Sequence, residues 1–292
     1  MLDLKGTALA DQTAWAKINL TLQVTGRRDD GYHALSSLVV FAEHGDVLRF
    51  QESDVLNLTI DGPFAAGLSA AADNLVLRAA EGFSALAGRP LNVAVTLIKN
   101  LPVAAGIGGG SADAAAVLRG LCSLTGLSPD DPSLLDLALQ LGADVPVCLA
   151  ARTVVMSGIG EVLRPVVAFP ALALVLVNPG VPLSTAAVFK ARQPAFSRAD
   201  EQLPPPDFDT LLDWLGERPN DLEEAARRLS PVVPRVLDSL AATPGCRLAR
   251  MSGSGATCFA IYENHADAES AALALRGAEP GWWVTATGLR AG

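Results

Sequence analysis

The stretch LPVAAGIGGGSADAAAVL, residues 101–118, is the most informative part of the chain. It places four glycines within the five positions 106–110 and then passes through Ser111 into an alanine-rich segment. Glycine costs backbone entropy, so a cluster of glycines indicates that the main chain bends sharply or approaches another group closely. Three structures are compatible with the pattern: a loop that cradles a phosphate, a tight turn capped by Ser111, and a flexible linker.

The segments on either side of the glycines favour the phosphate loop. Apolar residues alternate through 91–99, which predicts a strand, and the small residues that follow predict a helix over 111–125. The start of such a helix offers N–H groups and the positive end of the helix dipole to an anion. A capped turn would need one glycine, and a linker would not adjoin strong secondary structure. The loop matches neither GxxxxGK[ST] nor the GxSxG elbow.

The composition limits which kinds of protein and partner are possible. Half of the 292 residues are hydrophobic and 18% are charged, which predicts a sizeable core and excludes a largely disordered chain. The formal net charge of −9 argues against nucleic acid or an anionic membrane as a partner, because few cations are available to neutralise phosphates. A small anionic ligand is compatible with that charge, since it needs only a few local donors.

Cysteine usage and apolar segments indicate the compartment. The chain has four cysteines, Cys122, Cys148, Cys246 and Cys258. They show no CxxC or Cys/His spacing, so we expect free thiols in a reducing compartment and no zinc site. Segment 1–12 lacks the layout of a signal peptide, and the apolar run 170–180 is too short to cross a bilayer. We expect a cytoplasmic protein whose oligomeric state is left open.

Strands and helices interleave without a regular βαβ period, which predicts an α+β protein in two domains, 1–165 and 166–292. Alternation through 14–24 predicts a single strand with a polar face. Two further, separate strands are expected at 35–42 and 46–51.

Two local signals concern helix ends. Asp73 is expected to cap a helix that closes at Gly88. Pro146 is expected to hold Val145 in an extended conformation.

Four other motifs admit more than one interpretation. Lys17 and Asn19 in AKINL are, taken alone, typical of the exposed face of a strand. The GYH at 31–33 is either surface or a platform for a flat base. Asp144 in LGADVPV is equally a local cap and a paired, partly buried carboxylate. The segment MSGSGATCFA, 251–260, is more often a hairpin than a ligand loop.

Taken together and in order, these segments resemble the GHMP kinase superfamily. The resemblance rests on PVAAGIGGGSADAA and MSGSGATCFA, with AKINL, DGYH and LGADVPVCL between residues 16 and 260. It implies an N-terminal domain like the second domain of ribosomal protein S5, a C-terminal ferredoxin-like domain, and ATP with Mg²⁺ as cofactors. Within the superfamily, the resemblance at AKINL and DGYH implies phosphorylation of the 2-hydroxyl of 4-diphosphocytidyl-2-C-methyl-D-erythritol, in non-mevalonate isoprenoid biosynthesis.

The resemblance also implies roles for individual residues. Asp144 corresponds to the catalytic base and Lys17 to its cationic partner. The residues implied for the substrate are Asn19, Tyr32, His33, Ile159, Thr185 and Phe189. The residues implied for ATP are Asn74, Lys99, Pro102, Val103, Ala104, Ala105, Gly106, Ile107, Gly108, Gly109, Gly110, Ser111 and Ala112. For Mg²⁺, the hydroxyl of Ser111 is one candidate ligand.

Two departures from the family pattern and two alternative functions accompany this interpretation. Trp15 stands where a proline commonly precedes AKINL, and SAD stands where SSN is frequent, so Asp113 brings a charge near the helix start. One alternative is another small-alcohol kinase of the superfamily, which leaves DGYH unexplained. The other is a relative that binds ligands without catalysis, although Asp144, Lys17 and the glycine loop are all present.

Overall fold

The structure is a computed structural model that describes residues 11–29, 31–198 and 202–290. The segment 1–10, Asp30 and the first residue of the Pro-rich stretch 201–208 lie outside the described residues. The strands are β1 Gln12–Asn19, β2 Gln23–Arg27, β3 His33–Glu52, β4 Asn57–Asp61, β5 Val93–Ile98, β6 Val154–Gly158, β7 Val162–Pro165, β8 Ala173–Asn178, β9 Leu248–Met251, β10 Cys258–Tyr262 and β11 Trp283–Thr287. The helices are α1 Leu75–Leu86, α2 Gly109–Thr125, α3 Pro132–Leu141, α4 Val145–Ala150, α5 Thr185–Ala191, α6 Phe208–Gly216, α7 Glu223–Leu229, α8 Val232–Ala241 and α9 His265–Ala278.

The chain forms two compact units, and neither is continuous in sequence. Of the described residues, the first comprises 11–16, Gly45–Val103 and Gly108–Ala151. The second comprises 17–29, 31–44, Ala104–Ile107, 152–198 and 202–290. The division into 1–165 and 166–292 stays a prediction.

In the first unit, strands support a layer of helices. The second half of β3 pairs antiparallel with β5, which pairs parallel with β4. Helix α2 packs against α1 and α4, and its small, buried residues allow close approach. The guanidinium of Arg119 in α2 donates to the carbonyl of Cys148 in α4 and to that of Thr13, at 2.7 Å each. These contacts fix α2 within the unit.

In the second unit, an antiparallel sheet with strand order β11-β8-β10-β9 forms the core. Every residue of β8 is buried, as expected for a strand covered on both faces. Helices α8 and α9 pack on this sheet. The first half of β3 pairs with β2 and β6, and β6 pairs with β7.

The strand predictions for 14–24, 35–42 and 46–51 were wrong in their boundaries. The first is divided into β1 and β2, whereas the other two form one 20-residue strand, β3. Gly45 inside β3 is not a break. A Cβ there would lie 2.3 Å from the carbonyl oxygen of Ala14, so glycine permits the close approach of a neighbouring strand.

Two predicted helix ends also change. The N-cap of α1 is Asn74 rather than Asp73, and its side chain accepts a hydrogen bond from the N–H of Val76 at 2.9 Å. Val145 begins α4 instead of an extended segment, because Pro146 falls in the first turn, where no N–H donor is needed. The predicted end of α2 at Gly126 and the α+β class are confirmed.

Two further observations concern the helices and the cysteines. Among the described residues, every helix is too short or too polar to traverse a lipid bilayer. All four cysteines are free thiols.

Candidate active site

The glycine loop, residues 102–108, joins β5 to α2. Gly106 has φ +74°, and a Cβ there would lie 2.5 Å from the carbonyl oxygen of Gly255. Gly108, the N-cap of α2, has φ +65° and provides no side-chain hydrogen bond to the helix. The first N–H groups of a 17-residue helix are therefore left uncapped by the residue before them. This arrangement suits a phosphate group.

An ion triad of Asp46, Lys99 and Asp113 lies beneath the start of α2. The Nζ of Lys99 is 2.5 Å from Oδ2 of Asp46 and 2.8 Å from Oδ2 of Asp113, and all three side chains are buried. A Cβ on Gly109 would be 3.5 Å from that Nζ. The charge of Asp113, which the sequence placed near the helix start, is thus directed into the interior.

The buried triad alters the pKa values of its members. Burial raises the pKa of Asp113, the charge of Lys99 opposes this rise, and the charge of Asp46 adds to it, so that the pKa reaches about 8. Burial alone would lower the pKa of Lys99, but the two carboxylates outweigh it and raise that pKa. The carboxylates thus favour the charged form of Lys99, and burial favours the protonated form of Asp113.

Asn74 precedes a residue that lies near the first turn of α2. A Cβ on Gly110 would be 3.6 Å from a methyl group of Leu75, the residue after Asn74. The amide nitrogen of Asn74 donates to the carbonyl of Ser69 at 2.8 Å, while its oxygen caps α1. Asn74 is held at both ends of its amide. The roles predicted for Asn74 and Lys99 toward the nucleotide stay predictions.

Asp144 precedes α4 and is half-buried. Its carbonyl accepts the N–H of Cys148 at 3.1 Å, but its carboxylate makes no capping hydrogen bond to the helix. The interpretation of Asp144 as a local side-chain cap is therefore wrong.

In the second unit, Lys17 and Asn19 adjoin residues 105–107 of the glycine loop through the backbone. The N–H of Lys17 donates to the carbonyl of Ile107 at 3.0 Å. The N–H of Asn19 donates to Oγ of Ser252 at 3.1 Å, and that hydroxyl donates to the carbonyl of Gly106 at 3.3 Å. Both side chains are buried, so the expectation of an exposed strand face is wrong for them.

The side chain of Asn19 is only partly satisfied. Its Nδ2 donates to Oγ of Ser37 at 2.7 Å. Its Oδ1 is buried and has no hydrogen-bond partner among the described residues. A buried acceptor without a donor is costly, so Oδ1 is suited to receive a hydroxyl or N–H of a ligand.

The Gly/Ser loop, residues 252–257, packs against the same part of the glycine loop. The N–H of Thr257 donates to the carbonyl of Ala105 at 3.1 Å. A Cβ on Gly253 would lie 2.6 Å from the carbonyl oxygen of Gly106. Asn220 holds the Gly/Ser loop in place, because its Nδ2 donates to the carbonyls of Met251 and Gly253 at 2.8 Å each. The loop joins the antiparallel strands β9 and β10, as expected for a hairpin, and it also contacts the glycine loop.

Three of the residues predicted for the substrate lie around α5. Thr185 begins α5, and its hydroxyl is 2.8 Å from that of Ser254. The imidazole of His33 stacks on the ring of Phe189, one turn further along α5. Tyr32, next to His33, is exposed.

The remaining predicted residue, Ile159, lies after β6. Its N–H donates to Oε2 of Glu161 at 2.6 Å.

His33 is electrostatically perturbed. Partial burial and then the charges of Arg192 and Arg27 lower its pKa below the ordinary 6.5. The imidazole is therefore neutral at pH 7 and offers one donor and one acceptor nitrogen.

Sequence reasoning missed four side chains of this site: Ser252, Ser254, Asn220 and Arg192. The serines lie within the motif MSGSG, which was interpreted as a whole and not residue by residue. Asn220 and Arg192 carry no local signal, because their contacts depend on segments far away in sequence.

The described residues contain no group of three or more His, Cys, Asp or Glu side chains arranged to hold a metal ion. Asp113, the carboxylate closest in sequence to the glycine loop, is bound to Lys99.

Comparison with known proteins gives a consistent result. Residues 74–152 match the model of the GHMP kinases N terminal domain, and residues 199–280 match that of the GHMP kinases C terminal domain. A protein of Parvibaculum lavamentivorans named 4-diphosphocytidyl-2-C-methyl-D-erythritol kinase is 51% identical over 94% of this chain and 96% of its own length. A protein of the same name from Paracoccus denitrificans is 53% identical over 95% and 96%. A solved 4-(cytidine 5'-diphospho)-2C-methyl-D-erythritol kinase is 36% identical, with a TM-score of 0.79 over 97% of this chain and 100% of its own.

Proposed function

The chain belongs to the 4-diphosphocytidyl-2-C-methyl-D-erythritol kinases of the GHMP kinase family, and from this membership we propose that it transfers the γ-phosphate of ATP to the 2-hydroxyl of 4-diphosphocytidyl-2-C-methyl-D-erythritol. The observation that carries the proposal is identity of about half the residues with named kinases over nearly the full length of both chains. The two-domain GHMP kinase fold expected from the sequence is confirmed. Free thiols support a reducing, cytoplasmic location.

The phosphates of ATP would be held by the uncapped start of α2. N–H groups of its first turn and the helix dipole favour negative charge there. The glycine loop lets the backbone approach the phosphates closely. Mg²⁺ bound with the nucleotide supplies neutralisation of phosphate charge, and the hydroxyl of Ser111 would be its ligand from this chain.

The substrate would be held by residues of the second unit. The neutral imidazole of His33, stacked on Phe189, can pair a donor and an acceptor with the polar edge of a cytosine. The exposed ring of Tyr32 offers an aromatic face to the same base. Oδ1 of Asn19 would accept a hydroxyl of the sugar alcohol, which satisfies that buried oxygen.

Phosphoryl transfer asks the protein mainly to align an alcohol with the γ-phosphate and to stabilise charge. Asp144, whose carboxylate does not cap its helix, would accept the proton of the 2-hydroxyl as it attacks phosphorus. The ammonium of Lys17 would stabilise the negative charge that develops during transfer.

The test is ADP release by the purified protein with Mg-ATP and one alcohol at a time. The alcohols are 4-diphosphocytidyl-2-C-methyl-D-erythritol, mevalonate and homoserine. We expect release with the cytidyl compound alone. Release with another alcohol would discard the cytidyl pocket, and no release with any alcohol despite ATP binding would contradict the proposed activity.

A further inference from the structure

The ion triad brackets the glycine loop from both sides. Oδ1 of Asp46 accepts the N–H of Asn100 at 2.6 Å and that of Leu101 at 2.8 Å, the two residues that lead into the loop. Its Oδ2 binds the ammonium of Lys99, which also binds Asp113 of α2, the helix that follows the loop. One buried cluster therefore fixes the backbone before the loop and the helix after it.

The same cluster lies directly under the position proposed for the phosphates. The Nζ of Lys99 would be in van der Waals contact with a Cβ at Gly109, the first residue of α2. The ammonium lies between the carboxylates of Asp46 and Asp113 and partly offsets their negative charge.

A loop rich in glycine gains the most from such anchoring. Its backbone entropy is high when it is free, and a ligand that must order it binds more weakly. Fixing both ends in advance reduces that cost and orients the first N–H groups of α2.

We propose that Asp46 and Asp113, acting through the ammonium of Lys99, are positioning residues that hold the glycine loop and the first turn of α2 in the conformation that binds ATP. The proposal rests on the proposed function only in taking ATP as the nucleotide. It predicts that damage to the triad weakens nucleotide binding and leaves binding of the alcohol nearly unchanged.

The test compares Asp113→Ala, Asp113→Asn and Val117→Ala. Asparagine keeps an oxygen for Lys99, and its NH₂ group takes the place of Oδ1, which has no hydrogen-bond partner among the described residues. Val117 is buried in the same helix, so its truncation reports general destabilisation of α2. The readouts are the Kd of ADP by calorimetry, the KM values of ATP and of the alcohol, and Tm.

We expect Asp113→Ala to raise the Kd of ADP and the KM of ATP by about tenfold or more, since small displacements of supporting groups have effects of this size. Asp113→Asn should recover most of the loss, and Val117→Ala should lower Tm without changing the KM of ATP. Unchanged nucleotide binding in Asp113→Ala, equal losses in Val117→Ala, or no recovery with asparagine would each overturn the proposal.

Two provisions keep these outcomes separate. If Asp113→Ala does not fold, Asp46→Asn replaces it. The NH₂ group of the new asparagine would face the ammonium of Lys99 and break the contact between residues 46 and 99. An unchanged Kd of ADP in Asp46→Asn would overturn the proposal. ADP binding needs no alcohol. A wild-type protein that binds ADP but does not phosphorylate the cytidyl compound would contradict the proposed function. The comparison of ADP binding among the variants would still test the role of the triad.

Discussion

The imidazole of His33 and the ring of Phe189 are stacked, with their centroids 5.0 Å apart and their planes 26° apart. The contact joins the start of β3 to the middle of α5. Stacking restricts the plane of the imidazole and so limits the directions in which its two nitrogens point. Limiting these directions in advance favours recognition of a base edge.

His33→Ala should mainly weaken binding of the cytidyl substrate. We expect the KM for the substrate to rise about tenfold or more, while kcat falls less, because the lost contacts are made equally in the ground and transition states. Steady-state kinetics at saturating ATP provide the measurement. An unchanged KM would exclude His33 from pyrimidine recognition.

Arg192→Gln should shift the pH dependence of substrate binding. The guanidinium disfavours the protonated imidazole, so its removal raises the pKa of His33. The pH below which the KM for the cytidyl substrate increases should therefore move upward. Arg235→Gln, which removes a guanidinium over the ring of Trp282, is the matched control and should leave the pH dependence of KM unchanged. An unchanged pH dependence in Arg192→Gln would show that Arg192 does not act on His33.

Asp144→Asn should reduce turnover by about 10²- to 10⁴-fold, the usual contribution of a general base. Binding of ATP should stay within about threefold of wild type, because only a proton acceptor and a local charge are lost. Single-turnover assays and ADP calorimetry separate the two effects. The control is Asp136→Asn, which changes an exposed carboxylate of α3 and should leave turnover unchanged. Wild-type turnover in Asp144→Asn would exclude Asp144 as the base.

Lys99→Met should destabilise the protein strongly. It leaves Asp46 and Asp113 buried without their cation, and breaking a buried ion pair in this way typically costs about 3–5 kcal/mol. Urea denaturation followed by circular dichroism measures the loss. The control is Lys190→Met at an exposed lysine, which should change the free energy of unfolding by no more than about 0.5 kcal/mol. A similarly small change in Lys99→Met would contradict the energetic role of the triad.

Asp113 should impose a pH dependence on stability. Its pKa rises from 3.8 to about 8 on folding, so between these values the native state binds more protons than the unfolded state. The free energy of unfolding of wild type, minus that of Asp113→Asn, should therefore be largest below pH 4 and fall as the pH rises to 8, by at most about 1.4 kcal/mol per unit. Val117→Ala removes no titratable group, so its difference from wild type should be independent of pH. A flat difference for Asp113→Asn would contradict the raised pKa.

The sequence predicted the parts of the site that depend on local pattern. The helix after the glycines, its end at Gly126 and the α+β class all follow from residue spacing, and the family follows from motif order. The ion triad does not, because no local signal joins Asp46 to Lys99. Their contact is set by the register of β3 against β5, in which Val47 faces Ile98, and register depends on the packing of the whole sheet.

The helix preceded by Asp144 illustrates a second limit. Pro146 disfavours helix for the residue before it, yet Val145 begins α4. The tertiary contacts of the buried residues from Val145 to Leu149 outweigh this local preference. The roles assigned to single residues by resemblance, including those of Asp144 and Lys17, depend on bound ligands and stay predictions.

The discontinuity of the two units has a consequence for synthesis on the ribosome. Leu35 in β3 pairs with Gly158 in β6, and at about 5–20 residues per second this partner emerges roughly 6–25 s later. The first unit is complete once Ala151 has left the exit tunnel, whereas the second unit must wait for residues beyond β11. Lys17, Asn19 and His33 thus leave the ribosome well before the segments that complete their folded surroundings.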